Sequence, residues 1–469
     1  MMQTSAINSS AAYARRWGAL AVLCTAQFMV IMDTSIIGVA LPAIQKDLGY
    51  SNSNLQWIFN AYVILLGGLL LLGGRLSDTF GPRKIFMTGF GILTIASLMA
   101  GVSTSETMMN ISRGLQGAGS ALIAPAALTL LMTIFTDPKE LGKAFGFWGA
   151  SAAAGGSAGV FLGGLLTQWL SWEWVFLINI PMGIVVLLIS KHYLPIGQSQ
   201  RSKLDLLSAA IATGALVLLV YTIVTGESYG WGSATTLGML LVSVILFIIF
   251  FKRQKAVKNP MLPLYIFKAP NLAAGNLVTL FLAGAWIPLW FFLNIYLQQV
   301  LQLSAFNSGL ALLPMTVVIM IMMTSVTGKL IGKWGPKTTL IVGLLFLLLA
   351  LILFANVSAT GSFLVNVLPA SVLAAIGMSL AYIPATIISM GVKPEESGLA
   401  SGIVNTSYQI GSAIGLAIVV AISSALTSQL DATEMANSVL ANHTIRYAFI
   451  VATVVAALGV ITAIKKVKK

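Results

Sequence analysis

The sequence predicts an all-α protein that crosses a membrane many times. Of its 469 residues, 58% are apolar and only 8% are charged, whereas about a quarter of the residues in soluble domains are charged. A water-soluble protein of this length would lack the charged side chains needed to cover its surface. Disorder is also excluded, because it requires low hydrophobicity and high charge. A regular series of apolar stretches and a one-sided distribution of basic residues support the same fold class.

The apolar stretches have the length of membrane spans. A bilayer core needs about 20 apolar residues for each helix, and the chain contains fourteen such stretches with short connectors between them. The first follows two arginines, but it is too long for a signal peptide and we assign it as a helix. In order, the predicted spans are 17–42, 54–73, 84–104, 107–134, 141–168, 174–194, 204–224, 234–252, 271–301, 307–330, 337–357, 362–390, 398–428 and 444–464.

The basic residues predict how these spans are oriented. If the N-terminus is cytoplasmic, 23 of the 26 lysines and arginines lie on the cytoplasmic side, and only Lys46 and Arg446 lie outside. The remaining one, Arg113, lies inside a span. Cytoplasmic loops of membrane proteins carry such an excess, so we expect both termini in the cytoplasm. The net charge of +13 then faces anionic lipid, and we expect no nucleic-acid partner.

The residue types that hold metals or cofactors are scarce. Cys24 is the only cysteine, which excludes a disulfide framework and a thiolate metal site. His192 and His443 are too few and too far apart for a zinc cluster. No segment matches the phosphate loop of an ATP-driven pump, and no catalytic constellation is evident. We therefore expect no metal, no cofactor and no enzymatic activity.

Two loops of the same pattern indicate an internal duplication. Residues 74–84 read GRLSDTFGPRK, and residues 328–337 read GKLIGKWGPK. Both lie on the predicted cytoplasmic side, between a descending and an ascending span. We therefore predict a six-helix bundle over 1–195, a linker with two additional spans over 196–260, and a second six-helix bundle over 261–469. Repeats of this kind usually bind their ligands at the interface between them, near the midplane.

Three further motifs carry a resemblance to a known family. Residues 32–42 read MDTSIIGVALP, residues 113–119 read RGLQGAG, and residues 398–409 read GLASGIVNTSYQ. With the 74–84 loop, they resemble the major facilitator superfamily and, within it, the fourteen-spanner branch of drug:proton antiporters. The likeness covers essentially the whole chain. It implies the major facilitator fold, with two six-helix bundles and two extra central helices, fourteen in all.

The chain departs from the family pattern at several positions. Gly38 stands where asparagine is usual, and Val160 replaces the proline of the fifth-helix antiporter motif. Glu173 replaces an arginine, and Tyr408 stands where arginine is common. The glycines of the fifth-helix motif remain, and a small-residue stripe favours close helix packing or a sliding contact. These glycines are Gly155, Gly159, Gly163 and Gly164.

Two charged side chains, Asp33 and Arg113, lie deep within the predicted spans, more than four residues from either end. A charge at a helix centre costs about 2.5–3.5 kcal/mol, and at 1.5 Å per residue both lie roughly 10–13 Å from the outer ends of their helices. They can therefore reach the same layer. We predict that Asp33 gains and loses a proton and that Arg113, which cannot release its own, tunes it. The alternatives are a fixed buried ion pair and, for Arg113, an anchor to helix-end carbonyls.

The resemblance assigns the 74–84 loop to conformational control. In the family, the loop aspartate lies against the N-terminus of the eleventh core helix, which here begins near Ser397. A carboxylate at a helix N-terminus gains about 0.3–1 kcal/mol, so Asp78 would hold the outward-open state. The alternative is a loop that only sets topology. The predicted latch residues are Gly74, Arg75, Asp78, Gly81, Arg83 and Lys84.

Polar and aromatic side chains recur at helical spacing in several spans. An amide in a span needs a partner or water, and an aromatic face can bind planar or cationic molecules, so these stripes predict a solvated binding cavity. The alternatives are interhelical hydrogen bonds and an interfacial tryptophan belt. The predicted substrate-binding residues are Gln56, Asn60, Gln116, Trp286, Trp290, Asn294, Gln298, Tyr382, Asn405 and Gln409.

Together, the resemblance and Asp33 imply a proton-coupled secondary transporter that exports lipophilic drugs, cationic or neutral, by alternating access. We expect a monomer in the bacterial cytoplasmic membrane, with protons, the lipid bilayer and a lipophilic small molecule as its partners. Export of an endogenous lipid or metabolite is an alternative. A membrane sensor or scaffold that transports nothing is a second alternative.

Overall fold

The computed structural model describes residues 9–50, 54–55, 57–196, 205–257, 260, 262–392, 396–427 and 437–468, and no strand occurs in these ranges. A short 3₁₀ helix covers Leu264–Lys268, and π-helical turns cover Tyr296–Val300, Met322–Thr327 and Phe363–Val367. The α-helices are α1 (Ser9–Ser35), α2 (Ile37–Leu48), α3 (Trp57–Phe80), α4 (Pro82–Gly101), α5 (Glu106–Ile134), α6 (Pro138–Trp169), α7 (Trp174–Leu177), α8 (Asn179–Tyr193), α9 (Leu206–Tyr229), α10 (Ala234–Ala256), α11 (Leu272–Ile295), α12 (Ala305–Ile321), α13 (Gly328–Phe354), α14 (Leu368–Ser389), α15 (Ser397–Thr427) and α16 (Asn437–Lys466).

The helices have the length and composition of membrane spans. In the described part of the chain, twelve are long and apolar enough to cross a bilayer. One of these segments, Asn307–Phe354, is 48 residues long, and its backbone leaves the helical conformation at Gly335. The apolar part of α9, Leu207–Ile223, falls below the length of a span. The all-α membrane fold is therefore observed, and the count of fourteen spans stays a prediction.

Local chemistry explains where several helices begin. The hydroxyl of Ser105 accepts a hydrogen bond from the Met108 amide at the start of α5, with an oxygen–nitrogen distance of 3.3 Å. Ser233 caps α10 in the same way by accepting from Thr236. Such caps satisfy amides that have no partner inside the helix. Pro82 opens α4, where its missing amide and fixed φ are tolerated.

The two similar loops adopt corresponding structures. Gly81 has φ 91° and Gly335 has φ 79°, a conformation that favours glycine. Arg83 donates to the Leu194 carbonyl just after α8, at 3.2 Å, and Lys337 donates to the Ile464 carbonyl near the end of α16, at 3.3 Å. Cations at helix C-termini are stabilised by the exposed carbonyls. These matched contacts support the prediction of a duplicated unit.

The glycine stripe of α6 packs on α1. A Cβ at Gly155 would lie 2.5 Å from the carbonyl oxygen of Phe28, and one at Gly159 would lie 2.8 Å from the Ser35 Cβ. A Cβ at Gly163 would overlap the carbonyl oxygen of Ile36, at the break between α1 and α2. Only glycine permits this approach, as in other membrane helix pairs. Gly164 adjoins the stripe and is half-buried. Close packing of α6 on α1 is thus observed, and a sliding contact at this stripe stays a prediction.

The helices α9 and α10 form a pair that lies beside α3. Ser243 of α10 donates to the Ala215 carbonyl of α9 at 2.9 Å, and the Trp57 ring of α3 lies 5.7 Å from the Tyr221 ring of α9. The outer face of α10 exposes large apolar side chains such as Leu241. An apolar face of this kind suits contact with lipid tails.

Candidate functional site

Asp33 lies in the last turn of α1, just before the break that separates α1 from α2. Its side chain has no exposed surface, and neither has that of Arg113 of α5. An Arg113 Nη1 proton is donated to Asp33 Oδ2 over 2.8 Å, which makes the pair a buried salt bridge. The predicted meeting of these two residues in one layer is therefore observed.

Two amide side chains complete the surroundings of the carboxylate. Asp33 Oδ1 accepts a hydrogen bond from Gln116 Nε2 at 3.1 Å and another from Asn179 Nδ2 at 2.9 Å. Gln116 also donates to the hydroxyl of Ser97 at 2.8 Å. All of these side chains are fully buried. Both carboxylate oxygens are thus satisfied, as a buried charge requires.

Arg113 is fixed by more than its salt bridge. Its Nε donates to the Ile58 carbonyl in the first turn of α3 at 2.9 Å, and its Nη1 also donates to Gln116 Oε1 at 2.8 Å. The guanidinium carbon lies 4.5 Å from the centre of the Tyr62 ring, a cation–π contact. Its Nη2 is buried without a hydrogen-bond partner. Arg113 therefore pairs with Asp33 and also bonds to a backbone carbonyl of α3, and its role in tuning Asp33 stays a prediction.

Three members of this cluster were not predicted from the sequence, namely Asn179, Ser97 and Tyr62. Asn179 begins α8 directly after the break at Ile178, and it belongs to the segment that follows the tryptophan–glutamate–tryptophan motif. Tyr62 donates to the Ser120 hydroxyl at 2.9 Å. A neutral polar side chain inside an apolar stretch was the available signal, because such groups seek partners in a membrane.

The 74–84 loop reaches α15 as the resemblance implied. Asp78 Oδ1 accepts from the Gly398 amide at 2.9 Å, and Oδ2 accepts from the Leu399 amide at 2.8 Å. Both amides belong to the first turn of α15, where no helical carbonyl can satisfy them. A Cβ at Gly74 would lie 2.5 Å from the Gly398 carbonyl. Close backbone contact and a buried carboxylate therefore join α3 to α15.

The basic residues of the loop have separate environments. Arg83 holds the end of α8, as described above, and the Lys84 ammonium lies 5.8 Å from the Phe80 ring. Gly81 supplies the turn between α3 and α4. Arg75 lies near Tyr265, whose hydroxyl donates a hydrogen bond to Glu396, just before α15. That bond raises the pKa of the Tyr265 phenol, because it favours the protonated form.

The residues predicted to bind substrate differ in burial and in surroundings. Gln56 lies outside the described residues, and Gln116 belongs to the Asp33 cluster. Trp286 is buried and contacts half-buried Trp290, with ring centres 6.3 Å apart. Gln298 is exposed. The others, all half-buried, are Asn60, Asn294, Tyr382, Asn405 and Gln409.

Several of these polar side chains bond within their own helix. Asn294 donates to the Trp290 carbonyl at 3.1 Å, and Asn405 donates to the Ser401 carbonyl at 2.9 Å. Asn60 Nδ2, by contrast, is buried without a partner. The interhelical bonding that the sequence offered as an alternative is therefore not what Asn294 and Asn405 make.

An aromatic cluster lies where α6 meets α14 and α15. Trp148 of α6 stacks on Tyr382 of α14 with ring centres 6.3 Å apart and an interplanar angle of 12°. Tyr382 meets Tyr408 of α15 edge-on at 5.9 Å. The Trp148 indole nitrogen is buried without a partner, while both tyrosines are half-buried. Only Tyr382 was predicted from the sequence, because spacing within one helix cannot show which neighbour it contacts.

Comparisons with known proteins agree with this fold. A family model described as Major Facilitator Superfamily matches residues 23–416. The puromycin resistance protein pur8 of Streptomyces alboniger is 36% identical over 406 residues, which cover 85% of this chain and 80% of that protein. The cephamycin export protein CmcT of Amycolatopsis lactamdurans is 36% identical over 402 residues, which cover 84% of this chain and 82% of that protein.

A solved structure shows the same architecture. The crystal structure of the human organic anion transporter MFSD10 aligns with a TM-score of 0.68 over 96% of this chain and 99% of that chain, at 14% sequence identity. At this identity the likeness concerns the fold alone. The family model covers most of the sequence, and the relatives above match along most of their own length. The chain therefore belongs to the major facilitator superfamily and is a membrane transporter.

Proposed function

We propose that the protein exports lipophilic small molecules, cationic or neutral, in exchange for protons that bind to Asp33. The observation that carries this proposal is the fully buried salt bridge between Asp33 and Arg113. An ionisable pair inside a membrane-spanning bundle is expensive and commonly marks a proton or substrate pathway. Since Arg113 stays charged, Asp33 is the member that exchanges a proton.

Proton binding is coupled to movement through the charge of Arg113. A proton on Asp33 would leave the Arg113 guanidinium buried without its counter-ion, and breaking a buried pair in this way costs about 3–5 kcal/mol. The cluster must then rearrange or admit water. One charge crossing 100 mV supplies about 2.3 kcal/mol, and one pH unit supplies about 1.4 kcal/mol. A proton gradient of this size is therefore of the same order as the rearrangement.

The cargo binds apart from the carboxylate in this proposal. Both Asp33 oxygens already accept hydrogen bonds from Arg113, Gln116 and Asn179, so a cation would have to displace these donors. Aromatic faces are available instead where α14 meets α6: Tyr382 stacks on Trp148, and Tyr408 of α15 contacts Tyr382 edge-on. Relatives named for puromycin resistance, cephamycin export and tetracenomycin C resistance and export support a small organic cargo.

The state described is closed at the end that we assign to the cytoplasm. The positive-inside bias supports both termini on that side. There, Asp78 joins α3 to α15, and the Ser401 hydroxyl of α15 donates to the Pro125 carbonyl of α5 at 3.1 Å. Gly146 of α6 also lies against the backbone of Met323. We infer that these contacts hold the outward-open arrangement.

The experiment uses inside-out vesicles and a panel of dyes, quinolones and lipids. An acidic lumen should drive accumulation of the transported compound, and an uncoupler should abolish it. With purified protein, adding that compound should release protons from the wild type but not from Asp33→Asn. Asp205→Asn is a matched control, because it removes a carboxylate outside the Asp33 cluster and should keep both activities.

Two results would overturn the proposal in different ways. Accumulation that an uncoupler leaves unchanged would exclude proton antiport. Full pH-driven exchange by a well-expressed Asp33→Asn variant would leave antiport standing but remove Asp33 from it. A transported lipid, with no dye or quinolone moved, would support the alternative of an endogenous cargo.

A further inference from the structure

Asn179 has an unused hydrogen-bonding group beside the carboxylate of Asp33. Its Nδ2 donates to Asp33 Oδ1 at 2.9 Å, while its buried Oδ1 has no hydrogen-bond partner among the described residues. The residue is fully buried. A buried acceptor left without a donor costs about 1–3 kcal/mol. This arrangement suits the ionised carboxylate but leaves one acceptor of the amide unused.

Gln116, the other amide that contacts Asp33, has no such freedom. Its Oε1 accepts from Arg113 at 2.8 Å, and its Nε2 donates both to Ser97 and to Asp33. Turning the Gln116 amide over would present its nitrogen to the guanidinium and its oxygen to the carboxylate. Arg113 therefore fixes the orientation of the Gln116 amide. No hydrogen bond in the described residues holds the Asn179 amide oxygen, so the orientation of that amide is not fixed in the same way.

We propose that Asn179 is a positioning residue that serves both ionisation states of Asp33. It donates from Nδ2 to the carboxylate, as seen here. After a half-turn of its amide about the Cβ–Cγ bond, it accepts at Oδ1 from the protonated acid. The proposal rests on the proton-coupled function above, because it requires Asp33 to bind a proton.

The half-turn conserves the number of hydrogen bonds. Before the half-turn, Asn179 Nδ2 donates to Asp33 and Asn179 Oδ1 has no hydrogen bond. After it, Asn179 Oδ1 accepts a hydrogen bond from the Asp33 O–H, and Asn179 Nδ2 has none. The proton must lie on the Asp33 oxygen that faces Asn179, because Arg113 offers only donors on the other side. Among the described residues, the charged or titratable groups facing Asp33 are Arg113 of α5 and Tyr62 of α3. The groups from α4 and α8 are uncharged.

Protonation of Asp33 is therefore expected to affect its contacts with α5 and α8 differently. Protonation of Asp33 removes the ionic part of its bond to Arg113 on α5. Its one hydrogen bond to Asn179 on α8 is instead replaced by one hydrogen bond of the opposite direction. The α1–α8 contact then persists while the α1–α5 contact weakens. Asn179 therefore selects which helix boundary opens when a proton binds.

The test is infrared difference spectroscopy of the full-length protein in lipid vesicles during a pH jump, with and without ¹³C-labelled asparagine. The wild type should show a carboxylic-acid band that Asp33→Asn loses. It should also show a change in a ¹³C-sensitive side-chain amide carbonyl band. In Asn179→Leu, the amide change should be lost and the acid band should move to higher wavenumber, since its O–H has lost an acceptor.

Asn276 provides the matched control. It is also a buried asparagine with an unpartnered Oδ1, but it lies on α11 and donates to the Leu272 carbonyl of its own helix. Asn276→Leu should retain both bands. If Asn179→Leu does not fold, Asn179→Thr keeps a donor and an acceptor and should retain the position of the acid band to within a few wavenumbers while losing the amide change.

The outcomes separate this inference from the proposed function. An acid band without an asparagine amide change, or an amide change that survives in a folded Asn179 variant, would overturn the role of Asn179 and leave Asp33 as the proton site. A wild type without any Asp33 acid band would overturn both. Loss of the amide change in Asn179→Leu but not in Asn276→Leu, with the acid band of Asn179→Leu displaced, would support the inference.

Discussion

Replacing Asp78 by asparagine isolates the charge of the latch while keeping its shape. The carboxylate accepts hydrogen bonds from the Gly398 and Leu399 amides at 2.9 and 2.8 Å. An asparagine can present its single oxygen to one of these amides, and its own NH₂ group then faces the other. Asp78→Asn therefore loses one hydrogen bond and the charge at the N-terminus of α15.

The size of the effect follows from these two losses. A hydrogen bond to a charged group contributes about 1.5–3 kcal/mol, and the charge at a helix N-terminus contributes about 0.3–1 kcal/mol. The sum, about 2–4 kcal/mol, stabilises only the state in which α3 and α15 touch. Since about 1.4 kcal/mol is tenfold in an equilibrium constant, the open population should rise roughly 30- to 1,000-fold.

Cysteine labelling from the cytoplasmic side measures that population. The only native cysteine, Cys24, is first replaced by serine. Ser401→Cys then supplies a reporter, because Ser401 is fully buried where α15 meets α5. When opening is fast relative to labelling, the rate follows the open population. Asp78→Asn should therefore speed maleimide labelling in inside-out vesicles by at least about 30-fold.

A matched carboxylate shows whether the effect is specific. Asp205 accepts from the Ser208 amide at the start of α9, at 3.1 Å, and pairs with Arg253 of α10, so it does not join α3 to α15. Asp205→Asn should leave labelling of Ser401→Cys unchanged. If folded Asp78→Asn labels within about twofold of the parent, Asp78 does not hold the closed side and the magnitude worked out above is wrong.

Four further outcomes are expected. Arg253 and Ser208 lower the pKa of Asp205 to about 2, so the stability that they give the folded protein is present above about pH 4 and is lost as the pH falls towards 2. Between pH 5 and 2, the melting temperature of the wild type should therefore fall more than that of Asp205→Asn. The difference should correspond to about 1 kcal/mol after solvent screening. Gly155→Leu should lower the melting temperature in detergent, because overpacking α6 against α1 costs about 1–3 kcal/mol; an unchanged value would contradict the packing role. Tyr382→Ala should weaken the apparent affinity for an aromatic cargo about two- to tenfold in dye-efflux assays, since an aromatic contact contributes about 0.5–1.5 kcal/mol; equal affinity would remove Tyr382 from the binding surface. Gly332→Asp should not slow maleimide labelling of Ser401→Cys in inside-out vesicles. Labelling slowed by tenfold would show that the new carboxylate had created a second latch.

The fold class was predictable because the bilayer restricts the choices. Composition and span length predict an all-α membrane protein, which the helices confirm, and the family model confirms the family resemblance. The number of spans was harder to test, since Asn307–Phe354 continues through Gly335 as one segment by length and composition. A glycine with positive φ turns the chain there without any long polar connector.

The Asp33–Arg113 pair was predictable because ionisable residues inside spans are so few. Depth along two helices placed them in one layer, and the structure pairs them at 2.8 Å. Asn179 was not found, since a neutral amide carries no comparable cost and spacing within α8 does not show that α8 touches α1. Gln116 was predicted to line the cavity, although its position three residues after Arg113 places both on one helix face. That spacing was the available signal.

The two similar loops differ at the position of the proposed latch, and the helix ends that they approach account for the difference. In the second loop, Gly332 occupies the position of Asp78 and is exposed, and a Cβ added there would have no neighbouring atom within 4 Å. The helix that the second loop approaches is α6, where Gly142 faces Gly328. However, Asp137 already accepts a hydrogen bond from the Glu140 amide at 3.0 Å in the first turn of α6. A carboxylate at 332 would therefore meet a helix end that Asp137 already caps and where Glu140 already pairs with Arg16.

We expect this difference between the helix ends to make the two loops unequal in function. In the first turn of α15, the Gly398 and Leu399 amides are satisfied by Asp78, which belongs to a different helix, α3. In the first turn of α6, the Glu140 amide is satisfied by Asp137 of the same segment. If α3 and α15 separate during transport, as proposed, the first cap is lost and the second is kept. Since an interaction shifts an equilibrium only when it differs between the two states, we expect only the loop that carries Asp78 to control the conformation.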